Sequence, residues 1–329
     1  MWKKYKIYCQ KKFCYLNFFI DFLCLKIKLL NCIRKKSNKT ISILLFLFLI
    51  FVFKKTNIKI ALCSMGKQEN LYVKEFIKYY INLGIDKIFI YDDNDINTEE
   101  ISDMIDFRYK KYVKIFKAIK LKLFTQNKQF TDCYDKIKNK FDWILMIDMD
   151  EYLYIKTEKL KNYLLNPVFN KCDFIKFHWV IPNDNNHLLY ENKSLFERFN
   201  GSYKSSIFVK SIIRGNIPKL KYMVHSPYIS PFRNISCNNI GEKINNNNIN
   251  FEYIRNINIQ KAFIIHFKYK STEEYVNKIK RGYHFWTKDY ILKTSIKNYL
   301  KDNEITKEKI EYLEKELNIN LSKYKKKFK

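Results

Sequence analysis

Asp148 and Asp150 are separated by a single residue, directly follow the apolar run Trp143 to Ile147, and are followed by Glu151. On an extended segment, residues two apart point the same way. The pair therefore reads as a hard-oxygen site, suited to Mn2+ or Mg2+ shared with a diphosphate. A solvated turn is the competing reading, and the apolar run ahead of the pair favours the metal. A second acidic cluster, Asp92 and Asp93, follows the apolar stretch Lys87 to Tyr91. His266 ends the stretch AFIIHF, and His225 precedes Ser226-Pro227. By residue type alone, each histidine suits a satisfied core position as well as a ligand position. Asp184, Glu191 and Glu197 are downstream carboxylates able to deprotonate a hydroxyl. Glu197 is taken first for its place in LFERF, against the alternative of a surface glutamate paired with Arg198 or a nearby lysine. Arg198, Lys204 and Arg214 are cations that could hold a diphosphate, although a solvated face is the default for each.

These residues need elements to position them. Lys59 to Cys63, Lys87 to Tyr91, Tyr112 to Phe116 and Trp143 to Ile147 are short apolar runs of strand length. Between them, Glu69 to Leu83, Thr98 to Phe107 and Gln126 to Ile137 carry helical spacing, and Gly84 stands where the first of these helices should stop. The alternation predicts an α/β fold with a mostly parallel central sheet flanked by helices. Both acidic clusters then fall at the carboxyl ends of strands, where such sheets bind ligands. Further on, Thr157 to Leu165 reads as a helix and Asp173 to Val180 as a strand, with residues 182–260 mostly irregular. Ala262 to Phe267 is a strand, Ser271-x-x-Glu274 is a capping box opening a helix that stops near Gly282, and Thr306 to Leu317 is an amphipathic terminal helix.

The chain of 329 residues carries 62 Lys plus Arg against 33 Asp plus Glu, a net +29, with 17% aromatic residues. That aromatic content excludes a disordered chain. The positive charge is spread along the sequence without a zinc finger, KH loop or RNP1 motif, so no nucleic-acid partner is expected. Eight cysteines lack a C-x-x-C pair or zinc spacing. No disulfide framework is expected in the catalytic region, which disfavours an extracellular protein.

Residues 1–57 hold 13 basic residues and one acid, Asp21. Ile41 to Phe53 is apolar apart from Ser42 and is flanked by lysines. It is a candidate membrane helix, although a helix of that length spans only ~20 Å against a hydrocarbon core of ~30 Å. Phe13 to Ile33 reads as an interfacial helix. The segment predicts association with a membrane surface, with the N-terminus on the cytoplasmic side. Three regions are expected: this segment, a catalytic domain over 58–290, and a basic amphipathic helix and tail over 291–329.

The stretch ALCSMGKQENLYVKEFIKYYINLGIDKIFIYDD at 61–93 resembles glycosyltransferase family 92 and its family 2-like relatives. The resemblance continues through FTDCYDK, DWILMIDMDEYL, LFERF, KSIIRG and HFKYKSTEEYVNKIKRG, in order, over about two thirds of the chain. It implies a GT-A fold and transfer of a hexose from a nucleotide-sugar donor, with uridine diphosphate as carrier, to a hydroxyl of a glycan or glycoconjugate acceptor, with inversion. With the N-terminal segment, the expectation is a membrane-associated enzyme, on either the Golgi or ER lumenal side or the cytoplasmic membrane face. The resemblance further implies that Asp148, Asp150 and His266 hold Mn2+ or Mg2+, that Asp92, Asp93, Asp148 and Lys67 bind the donor, and that Glu197 is the base. A non-catalytic glycan- or nucleotide-binding protein on the same scaffold is the alternative.

Overall fold

The computed structural model describes residues 58–95, 98–118, 125–223, 225–228, 234–244, 254–282 and 288–325. The N-terminal segment 1–57, with the candidate membrane helix 41–53, lies outside the described residues. Among the described residues no helix is long and apolar enough to cross a membrane.

The first strands form as the apolar runs predict: β1 (Ile60–Gly66), β2 (Lys87–Asp92), β3 (Val113–Lys117) and β4 (Trp143–Met146) pair parallel in the order β3-β2-β1-β4. Helices α1 (Val73–Leu83) and α2 (Thr125–Ile137) connect them, and α1 ends at Gly84 in the left-handed region, φ 109°. The sheet continues through β7 (Tyr203–Arg214), β6 (Phe174–Pro182), β11 (Ala262–His266) and β5 (Glu151–Ile155), while β10 (Ser236–Cys237) pairs with β6. β7 runs antiparallel to both β4 and β6, β5 runs antiparallel to β11, and the remaining pairings are parallel. The architecture is thus mixed α/β with a mostly parallel sheet.

The strand order forces the sheet to curl. Four strand spacings separate β4 from β5, roughly 19 Å across a flat sheet. Only residues 147–150 join the two strands, and part of that link is a turn closed by the Glu151 amide on the Asp148 carbonyl at 3.1 Å. Such a link cannot cover a flat span. Curling carries the Asp148–Asp150 segment over the edge where β1, β2, β4, β6 and β11 end.

Several elements differ from expectation. The predicted helix 98–107 is instead a pair of 3-10 turns, Ile101–Met104 and Phe107–Tyr112. The Asp92 carboxylate accepts from the Ile101 amide at 3.1 Å and so pins that loop to the end of β2. The helix near 157–165 shortens to α3 (Leu160–Leu164). The region 182–260 is mostly irregular among its described residues, as expected, but it also contains the 12-residue β7, a short α4 (Leu195–Arg198) and the hairpin β8 (Lys221–Met223) and β9 (Ser226–Tyr228). β7 escapes pattern reading because Lys210 and Ser211 interrupt its apolar run, although both are buried.

The capping box at Ser271 and Glu274 opens α5 (Thr272–Lys280) as predicted, and Thr306 caps α7 (Lys307–Leu317). α6 (Lys288–Asp302) precedes α7, and α8 (Ser322–Lys325) follows it. These helices belong to the same compact unit, Ile58–Lys329. Tyr275, Ile279, Tyr299, Ile310 and Leu313 share one core. Buried Lys309 reaches the Asp184 carboxylate at 2.8 Å.

The cysteine expectation is corrected. Cys63 on β1 is bonded to Cys133 on α2, and Cys172 is bonded to Cys237 on β10. The four positions are buried and about 65 to 70 residues apart within each pair, so only the fold brings them together.

Candidate active site

The D-x-D segment is a turn rather than an extended stretch, so its aspartates face different partners. Asp148 binds the Lys210 ammonium at 2.7 Å and accepts from the Gln126 amide on α2. Asp150 binds Lys278 of α5 at 2.6 Å and lies 3.5 Å from His266 Nε2. Glu151 joins the two halves: it pairs with His266 in the β5–β11 register, accepts from the Asp148 amide at 3.0 Å and stands 3.6 Å from Lys210. The Phe267 amide donates to the Asp150 carbonyl at 2.9 Å, which fixes the turn to the end of β11. Gly66 ends β1 beneath it, and a Cβ there would come within 2.3 Å of the Met149 sulfur. The turn therefore requires a residue without a side chain at that point.

The electrostatics follow from burial and pairing. Burial alone would raise the Asp150 carboxyl, but Lys278 and His266 override it and hold it well below the usual carboxylate range. Burial, with the neighbouring Asp148 and Asp150, pushes Glu151 well above that range against the pull of Lys210. Burial also depresses His266, despite the opposing Asp150, and leaves it a neutral imidazole at neutral pH. A neutral imidazole facing an ionised carboxylate is a donor pair for a divalent ion. Several buried polar atoms nearby have no protein partner, among them Glu151 Oε1, His266 Nδ1, Trp179 Nε1 and Tyr222 Oη. The protein alone does not complete the hydrogen bonding of these groups. Among the described residues no three His, Cys, Asp or Glu side chains form a ready cage.

A second cluster lies alongside. Glu69, just beyond β1, is buried between Lys270 at 2.6 Å and Arg281 at 2.8 Å. Arg281 also donates to the Lys67 carbonyl. Burial raises the Glu69 carboxyl, yet Lys270 and Arg281 bring it below its ordinary value, and it feels both Asp150 and Lys278. The loop that contains Lys67 is thus fastened to α5 beside Asp150.

The structure brings Asp148, Asp150 and His266 into one network. It joins Glu151 to them and adds Lys210, Lys278, Gln126 and Glu69, which sequence reasoning missed. A lysine inside the apolar run of β7 was the available signal for Lys210; nothing in the sequence distinguishes Lys278 from its neighbours. His225 lies close by, with its ring 4.9 Å from Trp179, which in turn packs on His266 at 4.4 Å. Asp92 is a buried loop anchor that accepts from Asn94 and Ile101. Asp93 is buried at the same strand end, its amide on the Gly66 carbonyl at 2.8 Å.

Glu197 lies elsewhere. It is exposed, completes the capping box of α4, and is held below its ordinary pKa by the Ser194 hydroxyl and amide. Asp184 is a buried partner of Lys309 and Tyr299, and Glu191 pairs with His187 and Lys193. Of the expected phosphate cations, Arg198 is buried against Glu274, Arg214 bonds the carbonyls of Phe169 and Cys172, and Lys204 pairs with Asp302.

The sequence matches the family described as Glycosyltransferase family 92 over residues 57–321. A family 92 glycosyltransferase protein of Arabidopsis thaliana is 30% identical over 110 residues, 32% of this chain and 18% of that relative. One of Oryza sativa subsp. japonica is 27% identical over 114 residues, 32% of this chain and 19% of the relative. The chain thus spans about a fifth of the length of these relatives. The solved structure of HddC from Yersinia pseudotuberculosis aligns at TM-score 0.27 and 10% identity, covering 69% of this chain and 82% of that one.

Proposed function

Because the chain belongs to glycosyltransferase family 92, we propose that it is a metal-assisted glycosyltransferase of GT-A architecture. It moves a hexose from a nucleotide sugar, with uridine diphosphate as carrier, to a hydroxyl of a glycan or glycoconjugate. The observation that carries this reading is Asp150 facing neutral His266 at 3.5 Å, beside Lys278, on the edge where five strands end.

Asp150 and His266 would hold Mn2+ or Mg2+, with Asp148 alongside. A bound ion supplies charge neutralisation for the departing diphosphate. Lys278, already seated on Asp150, is placed to meet the same phosphate oxygens. Lys210 keeps its proton: burial opposes its charge, but Asp148 and Glu151 more than offset the penalty and raise it. It thereby fixes Asp148 in place for the donor. In the transfer, the acceptor oxygen bonds to the anomeric carbon as the bond to diphosphate breaks, and the electron pair leaves with the diphosphate. Inversion follows from a single displacement, which needs a carboxylate to take the acceptor proton.

Two disulfides support an oxidising compartment for the catalytic domain. With a basic N-terminal segment associated with the membrane, the reading is a membrane-associated enzyme whose catalytic face is lumenal.

The test is release of nucleoside diphosphate across a panel of nucleotide sugars, with Mn2+ and with chelator. Asp150→Asn is expected to lower turnover by about 100-fold or more with the melting temperature retained. Full activity in chelator, or in Asp150→Asn, sinks the proposal.

A further inference from the structure

A groove opens where β6 ends and β7 begins, lined by Asn183, Ser202, Tyr203, Lys204, Tyr269 and Asp302 among others. We infer that this groove seats the sugar ring of the acceptor; the inference rests on the transferase reading and extends it to a second ligand. Tyr203 is 66% exposed although it pairs with buried Pro182 across the strands. An aromatic face held open on a rigid strand suits the C–H face of a sugar ring, since it combines apolar area with a polar tip. The rim supplies both kinds of hydrogen-bonding group. The Asn183 amide donates to the Ser202 hydroxyl at 2.8 Å, and the Asp302 carboxylate accepts from Tyr269 at 2.6 Å and Lys204 at 3.1 Å. Asp302 pairs with Lys204 at 3.1 Å, so that ammonium is already engaged and the rim offers mainly hydroxyl, amide and carboxylate groups to a polyhydroxyl ligand.

The groove and the donor site share one segment of chain. Tyr269 lies three residues past His266 on the same segment. The Lys268 ammonium is 3.2 Å from the Tyr269 hydroxyl, and Lys278, which holds Asp150, also donates to the Lys268 carbonyl at 3.3 Å. One layer of side chains therefore separates a sugar in the groove from the carboxylate assigned to the metal.

The experiment measures binding of a panel of p-nitrophenyl mono- and disaccharides to the full-length protein by saturation-transfer difference NMR, without donor. At least one glycoside is expected to bind, Tyr203→Ala to weaken it about tenfold, and Tyr203→Trp to restore it. In transfer assays the same Tyr203→Ala should raise the acceptor KM similarly, while nucleotide release without acceptor stays within about twofold of wild type. Absence of glycoside binding to wild type overturns the inference, as does unaltered binding by both Tyr203→Ala and Asp302→Asn. Glycoside binding without turnover of any nucleotide sugar would remove the transferase reading and leave the groove in place.

Discussion

The disulfides make the most quantitative prediction. The two pairs close separate stretches, with partners 70 and 65 residues apart. Loop-closure entropy gives each about 4 kcal/mol at 25 °C. Since the loops do not overlap, the contributions add to about 8 kcal/mol, against a total of about 5–15 kcal/mol for a typical domain. The fully reduced chain should therefore keep only a minor part of its stability. The perturbation is the paired replacement Cys63→Ala/Cys133→Ala, then Cys172→Ala/Cys237→Ala, then all four. All four positions are at most 2% exposed, so replacement reaches bonds that a reductant meets only after opening. Thermal melts read by circular dichroism should fall by roughly 8 °C or more for each pair, at about 2–4 °C per kcal/mol. Peptide mapping after alkylation in denaturant without reduction should leave these four cysteines unlabelled in wild type. Alkylation of all four in freshly purified protein, or a quadruple variant melting within about 2 °C of wild type, would refute the reasoning and withdraw the argument for an oxidising compartment.

Three further outcomes follow from single positions. Glu197→Gln keeps the capping geometry with Ser194, so turnover should stay within about twofold of wild type; a drop of about 100-fold restores Glu197 as the base. Gly66→Ala drives a methyl group into Met149 inside the D-x-D turn, and should cost about 1–3 kcal/mol in denaturant melts; an unchanged midpoint with wild-type KM for donor contradicts the close approach. Lys176 on β6 is buried, and that burial lowers its pKa to about 8. A lysine whose folded pKa lies below its unfolded value destabilises the fold while both states are protonated, and the penalty fades as pH rises from about 8 to about 10.5. Lys176→Met should thus stabilise by up to about 3 kcal/mol at pH 7, with the gain shrinking over that range; a pH-independent difference rules out the burial penalty as its cause.

β1, β2 and β4 were legible because each is a near-continuous apolar run bounded by polar turns, with no alternation to misread; β3, at the sheet edge, keeps only Val113, Ile115 and Phe116 as its apolar signal. β7 shows the limit of that logic. Its buried lysine and serine break the run, and they do so because the strand passes the D-x-D turn, where Lys210 is needed as a counter-ion. The helix expected at 98–107 failed for a related reason. The Asp92 carboxylate holds the Ile101 amide at 3.1 Å, so the chain there follows the end of β2 as a pinned loop, and the carboxylate expected at the donor also serves as a loop anchor. Disulfide partners were invisible in principle, since no spacing rule connects positions 65 to 70 residues apart.

The site itself was half visible, and the division is instructive. The D-x-D pair stood out as acids at a strand end, whereas His266 was singled out by the family resemblance and not by its residue type. Their counter-ions did not stand out, because Lys210 and Lys278 are two among 62 basic residues. Yet these lysines decide how the carboxylates behave. Without Lys278, burial would raise Asp150 as it raises Glu151, and the turn would present protonated acids to a diphosphate. At this edge the basicity of the chain, which in the sequence looks like solvated surface, includes the ammonium that keeps the buried Asp150 carboxylate ionised. It follows that the charge count does not locate the site, because what matters there is the particular pairing of Lys278 with Asp150, and buried Lys210 does not do the same for Glu151.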